Sequence, residues 1–208
     1  MSAKVLGILL FDEVEVLDFC GPFEVFSITG TLLENSFEVV TLAQKSPVTA
    51  RNGLAVLPNY VIGQDQDIPK LDILIVPGGM GTVTEAKNES LISWIKSVSA
   101  SAEFVLSVCT GVQLLGKAGL LDGMTVTTHH LCFELVRPDC PTTTKFCKCR
   151  RFVDNDKVLT SAGISAGIDL SFHLVKKLHG LDSASKVAKY MEYDWKDVDV
   201  QKCICQLD

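Results

Sequence analysis

Residues 104–118 pass from a strand pattern to a helical pattern with no loop between them, and a cysteine stands at the joint. Phe104-Val-Leu-Ser-Val-Cys109 is an apolar run of strand length, and Gly111 to Ala118 continues with helical spacing. Ser107 and Gly111 lie two residues to either side of Cys109. Small residues suit those positions because a sharp strand-to-helix turn brings neighbouring backbone close and holds its apex residue in a strained conformation. Cys109 is therefore read as a nucleophile on an elbow. The free N–H groups and dipole of the following helix would ease ionisation of its thiol.

The same alternation runs along the whole chain. Strands are expected at Lys4–Leu10, Phe37–Leu42, Leu71–Val76, Glu103–Val108 and Met124–Thr127, with an extended segment at Gly53–Pro58. Helices are expected from Pro22 to Leu33, Ser90 to Ala100, His130 to Val136 and Ser165 to Leu178, with a last one capped by Ser183. Arg150–Val153 and Lys157–Ser161 flank Asp154-Asn155-Asp156 and read as a hairpin at a sheet edge. Strands alternating with helices imply an α/β fold: a doubly wound, mostly parallel sheet with helices on both faces and its sites at the carboxyl ends of the strands. At 208 residues one domain, 1–208, accounts for the chain.

Composition narrows the function. The net charge of −6, with basic residues scattered apart from one short cluster at Lys145, Lys148, Arg150 and Arg151, argues against nucleic acid as a partner. No apolar run approaches the roughly 20 residues of a membrane span. Val5–Phe11 is a strand rather than a signal sequence, because acidic residues follow it. The expectation is a cytoplasmic protein without membrane association, whose eight cysteines are reduced thiols. Cys147-x-Cys149 and Cys203-x-Cys205, with Cys140 nearby, lack the usual two-residue gap of zinc sites, so no metal is expected.

Three further segments fall at the carboxyl edge with Cys109. Pro77-Gly78-Gly79 ends a buried strand and could offer backbone N–H groups to a developing negative charge. Asp18 lies between the first strand and the helix at Pro22, as a partner of the thiol or a capping carboxylate, with Glu15 and Glu24 as competitors. His129 and His130 follow a strand and could serve as acid, base or orienting groups, or simply as structural residues.

Taken together, Leu17-Asp18-Phe-x-Gly21-Pro22, Val76-Pro77-Gly78-Gly79, Ser107-Val-Cys109-Thr-Gly111, Thr128-His129 and Ala162-Gly163-Ile164-Ser-Ala-Gly167-Ile168-Asp169 resemble the ThiJ/PfpI superfamily of class I glutamine amidotransferase-like proteins. Within it the chain looks most like the isonitrile hydratase branch and the amidotransferase-like domains of AraC-type regulators. The resemblance implies a flavodoxin-like sandwich with a nucleophile elbow, a homodimer, a small-molecule substrate and no cofactor. It also implies a lyase that adds water to an isonitrile to give an N-substituted formamide. In that reading Cys109 attacks the isonitrile carbon, Asp18 supplies or relays the proton, and backbone N–H groups near Gly79 and Thr110 hold the intermediate. Gly78, His129 and Ile164 are candidate supporting residues. Thr110 in place of the histidine that follows the cysteine in protease-like members argues against a peptidase. His130 stands where the hydratase pattern carries a tryptophan. The alternatives are a redox or small-ligand sensor and a glyoxalase- or deglycase-like activity on small dicarbonyls.

Overall fold

The computed structural model describes residues 2–197. Its strands are β1 (Lys4–Leu9), β2 (Phe37–Ala43), β3 (Val48–Thr49), β4 (Ala55–Val56), β5 (Tyr60–Val61), β6 (Ile73–Val76), β7 (Phe104–Val108), β8 (Thr125–Val126), β9 (Lys145–Phe146), β10 (Phe152–Asn155) and β11 (Val158–Ser161). Its helices are α1 (Val16–Leu32), α2 (Thr82–Glu85), α3 (Glu89–Ser101), α4 (Gly111–Lys117), α5 (Phe133–Val136), α6 (Ala166–His179) and α7 (Leu181–Tyr190).

Seven strands form the central sheet in the order β10-β11-β7-β6-β1-β2-β5. Every neighbouring pair is parallel except the edge hairpin β10–β11, whose turn carries Asp156 at φ 64°. β6 and β7 are buried at every position, which is why both read as unbroken apolar runs. Helices α1, α6 and α7 pack on one another, and α2 to α5 form a second group around α4. This is the doubly wound arrangement the βα alternation calls for and the flavodoxin-like sandwich the family resemblance implies. The connection from β1 leads outward to β2, whereas β6 returns to the other flank of β1. The carboxyl ends of β1 and β6 thus diverge at a switch point, where such sheets open a crevice.

Several expected boundaries shift for identifiable reasons. α1 begins at Val16 rather than Pro22, so Pro22 lies inside the helix and Asp18 sits in its first turn, not in a loop. Glu15, at the helix entrance, makes no side-chain cap, so the sequence carries no capping signal at the true start. The last helix starts at Leu181, directly after Gly180 at φ 85°, and Ser183 is inside it rather than capping it. The helix expected from His130 shrinks to Phe133–Val136 plus a 3-10 turn at Arg137–Asp139. Ala55–Val56 pairs with Val48–Thr49 in a small ribbon outside the main sheet, while the edge is supplied by Tyr60–Val61. Among the described residues no helix is long and apolar enough to cross a membrane.

Cys20, Cys109, Cys132 and Cys140 are free thiols. Cys147 and Cys149 are disulfide-bonded, though not to each other, since their sulfurs lie 3.9 Å apart; this corrects the expectation of uniformly reduced thiols. Cys203 and Cys205 lie outside the described residues.

Ile75 is fully buried in β6, between β1 and β7. Ile75→Ala leaves a cavity under the site, and urea unfolding should show a loss of about 2–5 kcal/mol.

Candidate active site

β7 delivers its last residue, Val108, into the sheet, and the chain then turns at Cys109, whose φ of 57° lies in the left-handed region. A non-glycine residue holds that conformation only when its surroundings impose it. Here the Cys109 N–H donates to the carbonyls of Ser161 (3.1 Å) and Ala162 (3.3 Å), and the Cys109 carbonyl accepts from Thr128 Oγ1 (2.8 Å). Gly111 is required by crowding, because a Cβ there would lie 2.1 Å from the Val76 carbonyl oxygen. The elbow inferred from Ser107 and Gly111 is present.

Directly beneath lies Asp18, fully buried in the first turn of α1. Its Oδ2 accepts the Gly78 N–H at 3.0 Å. Its other oxygen, Oδ1, is buried with no formed hydrogen bond. Burial pushes the carboxyl up to about 7, with the charge of Glu15 adding to the rise; the Gly78 N–H and, more weakly, the Cys109 thiol act in the opposite direction. Gly78 has no room for a side chain, since a Cβ would come within 2.5 Å of the Thr110 nitrogen and 2.9 Å of Asp18 Oδ2.

The thiol itself departs from expectation. Burial raises its pKa above that of a free cysteine, the Asp18 charge raises it further, and the Thr110 N–H and hydroxyl only partly offset this. α4 has seven residues, and the ease of ionisation its dipole was expected to give is outweighed. Cys109 and Asp18 therefore form a pair in which the carboxylate disfavours the thiolate, while the neutral thiol favours the carboxylate.

Gly79, at φ 129°, bridges antiparallel to Val14. Its N–H is not free for an intermediate, as the sequence suggested, but donates to Thr110 Oγ1 at 3.0 Å, and the Thr110 hydroxyl reaches back to the Gly79 carbonyl at 3.2 Å. The Thr110 N–H faces the Cys109 sulfur instead.

Above the thiol is a cavity of about 170 Å³. Of the residues singled out in the sequence, Cys109, Thr110, Gly79, His129, Ile164 and Glu15 line it, while Asp18 and Gly78 lie behind Cys109. Met80, Val83, Leu135 and Ile164 make most of its wall apolar, and Glu15 and Arg51 give it one charged side. Arg51 Nη1 bonds Glu13 Oε2 at 3.0 Å, and its Nε is 3.9 Å from Glu15 Oε2. His129 Nδ1 accepts the Leu131 N–H at 3.2 Å, which assigns the ring proton to Nε2. Partial burial and the neighbouring His130 ring, 4.4 Å away, keep His129 below the usual imidazole pKa. Partial burial pushes up the thiol of Cys20, and the charge of neighbouring Glu24 adds to the rise. Sequence reading missed Cys132, Met80, Val83, Leu135 and Arg51, each delivered from a different loop or short helix with no local motif.

Two outcomes follow. Adding one methyl group at Gly111→Ala should lower stability by about 1–3 kcal/mol in denaturant titrations, because Val76 offers backbone rather than a flexible side chain to yield. For Asp18 the folded pKa of about 7 lies above the ordinary 3.8, so the folded state holds more protons and stability falls as pH rises from about 4 through 7. Asp18→Asn removes that penalty, and its melting temperature should fall less than that of the wild type between pH 5 and pH 8.

The DJ-1/PfpI family model matches residues 3–177. The chain is 36% identical over 193 residues to isonitrile hydratase of Pseudomonas putida, covering 92% of this chain and 79% of that protein. It is 25% identical over 196 residues to the HTH-type transcriptional regulator GbdR of Pseudomonas aeruginosa, covering 93% of this chain but spanning only 52% of the regulator. A ThiJ/PfpI family protein from Pseudomonas syringae superposes with a TM-score of 0.80 at 27% identity, covering 98% of this chain and 80% of that one. DJ-1beta of Drosophila melanogaster shares the fold, with a TM-score of 0.79 at 18% identity over 94% of this chain and all of that one. On the extent of these matches, the chain belongs to the DJ-1/PfpI family.

Proposed function

We propose that the protein is a cysteine-dependent lyase that hydrates an isonitrile to an N-substituted formamide. The observation that carries this reading is Cys109 at the floor of a small, mostly apolar cavity with the Asp18 carboxyl buried behind it. The 36% identity to an isonitrile hydratase supports it. An isonitrile has an apolar substituent and a terminal carbon that needs both a nucleophile and a proton. A carboxyl whose pKa is about 7 takes and returns a proton near neutral pH with little bias either way.

In the first step Cys109 Sγ bonds to the terminal carbon of R–N≡C while its thiol proton passes to Asp18, which returns a proton to that carbon. The product is a thioformimidate, R–N=CH–S–Cys109. Water then adds, its hydroxyl to the carbon and its hydrogen to the nitrogen. Collapse of that adduct breaks the C–S bond, returns the hydroxyl proton to sulfur and releases R–NH–CHO. Nucleophilic catalysis thus divides one hydration into two easier additions. The raised thiol pKa fits proton transfer in concert with attack rather than a preformed thiolate. The Thr110 N–H supports negative charge on sulfur as the C–S bond breaks, and the Gly79 N–H orients Thr110 by holding its hydroxyl.

A second reading, a small-ligand sensor without turnover, draws on the likeness to GbdR. The two readings separate in one assay of a simple aliphatic isonitrile with formamide as the product. The lyase reading predicts turnover, abolished in Cys109→Ala and reduced about 10²- to 10⁴-fold in Asp18→Ala. Saturable binding of the isonitrile without formamide would favour the sensor.

A further inference from the structure

Two free thiols open onto the same cavity. Cys109 forms its floor and Cys132, at the entrance to α5, stands in its wall. Hydrogen bonds on the intervening chain tie the two together: Thr128 Oγ1 is fastened to the Cys109 carbonyl at 2.8 Å, and the next residue, His129, turns the chain so that its carbonyl accepts the Cys132 N–H at 2.8 Å. Cys132 Sγ rests 3.9 Å from His129 Nδ1, and Cys132 is more open to solvent than Cys109. Neither Cys20 nor Cys140, the other free thiols among the described residues, lines this cavity. The buried, unpartnered Oδ1 of Asp18 supplies a proton acceptor on the far side of Cys109.

We infer that Cys132 is a resolving thiol for Cys109: a hydroperoxide small enough for the cavity oxidises Cys109, and Cys132 closes a reversible Cys109–Cys132 disulfide across the site. In the first step Cys109 sulfur attacks one peroxide oxygen of ROOH, the O–O bond breaks, and Cys109–SOH and ROH form as the thiol proton moves to the departing oxygen. In the second, Cys132 sulfur attacks the Cys109 sulfur, water leaves, and the S–S bond forms, so two thiols are oxidised and one peroxide is reduced. Closing the bridge takes Cys132 away from His129 and puts sulfur where an acyl or imidoyl group would otherwise sit on Cys109. The inference stands on the two thiols and their cavity and does not depend on the hydratase reading.

The test is peptide mapping by mass spectrometry under non-reducing conditions, on the full chain treated with one to a few equivalents of hydrogen peroxide. Trypsin separates Cys109 from Cys132 at Lys117. The wild type should yield a cross-linked Cys109–Cys132 peptide pair that a dithiol reductant separates. Cys132→Ser, and independently Cys132→Ala, should lose the cross-link and gain oxygen at Cys109 instead. Sulfinic acid on Cys109 beside an unmodified Cys132 in the wild type would overturn the inference, as would a cross-link from Cys109 to any other cysteine.

Discussion

The turn from β7 into α4 holds Cys109 at φ 57°, and much of the surrounding structure serves to keep it there. Its N–H is taken by Ser161 and Ala162 at the end of β11, and its carbonyl by Thr128 from the segment after β8. Gly78 and Gly111 clear space on the β6 side, where any side chain would strike backbone. Three separate stretches of chain therefore converge on one residue, and the cavity exists because the same stretches form its walls. A residue in that conformation stores strain that only such convergence can maintain.

The second constraint is electrostatic. Asp18 is fully buried, and one of its oxygens has no formed partner. Burying a carboxyl this way is costly if it ionises, so its pKa rises to about 7. The same burial and the charge of Asp18 raise the thiol. The pair resists carrying two negative charges at once. In that property it differs from an exposed, low-pKa thiolate, whose reactivity comes from being ionised beforehand.

The elbow and the parallel sheet were legible because each leaves a local trace: unbroken apolar runs for doubly buried strands, and Ser107 and Gly111 around Cys109 for the turn. The start of α1 was not, because Pro22 imitates a first-turn signal and Glu15 caps nothing. That error placed Asp18 in a loop, although its nearness to the thiol was still inferred from its position after β1. The behaviour of the thiol was illegible for a different reason. A helix amino terminus next to cysteine is visible in sequence, whereas the burial and the buried carboxylate that outweigh it exist only once β1, β6 and β7 lie side by side. Cys132, Met80 and Leu135 escaped notice likewise, since only the folded chain brings their segments to one cavity.

The coupling of Cys109 to Asp18 is tested most directly by the pH dependence of Cys109 alkylation, followed peptide by peptide in wild type and Asp18→Asn. The account predicts that Asp18→Asn moves the alkylation midpoint of Cys109 to lower pH while Cys20 and Cys140 keep theirs. An unchanged or higher midpoint at Cys109 would show that the two groups do not share a proton, and would contradict the account.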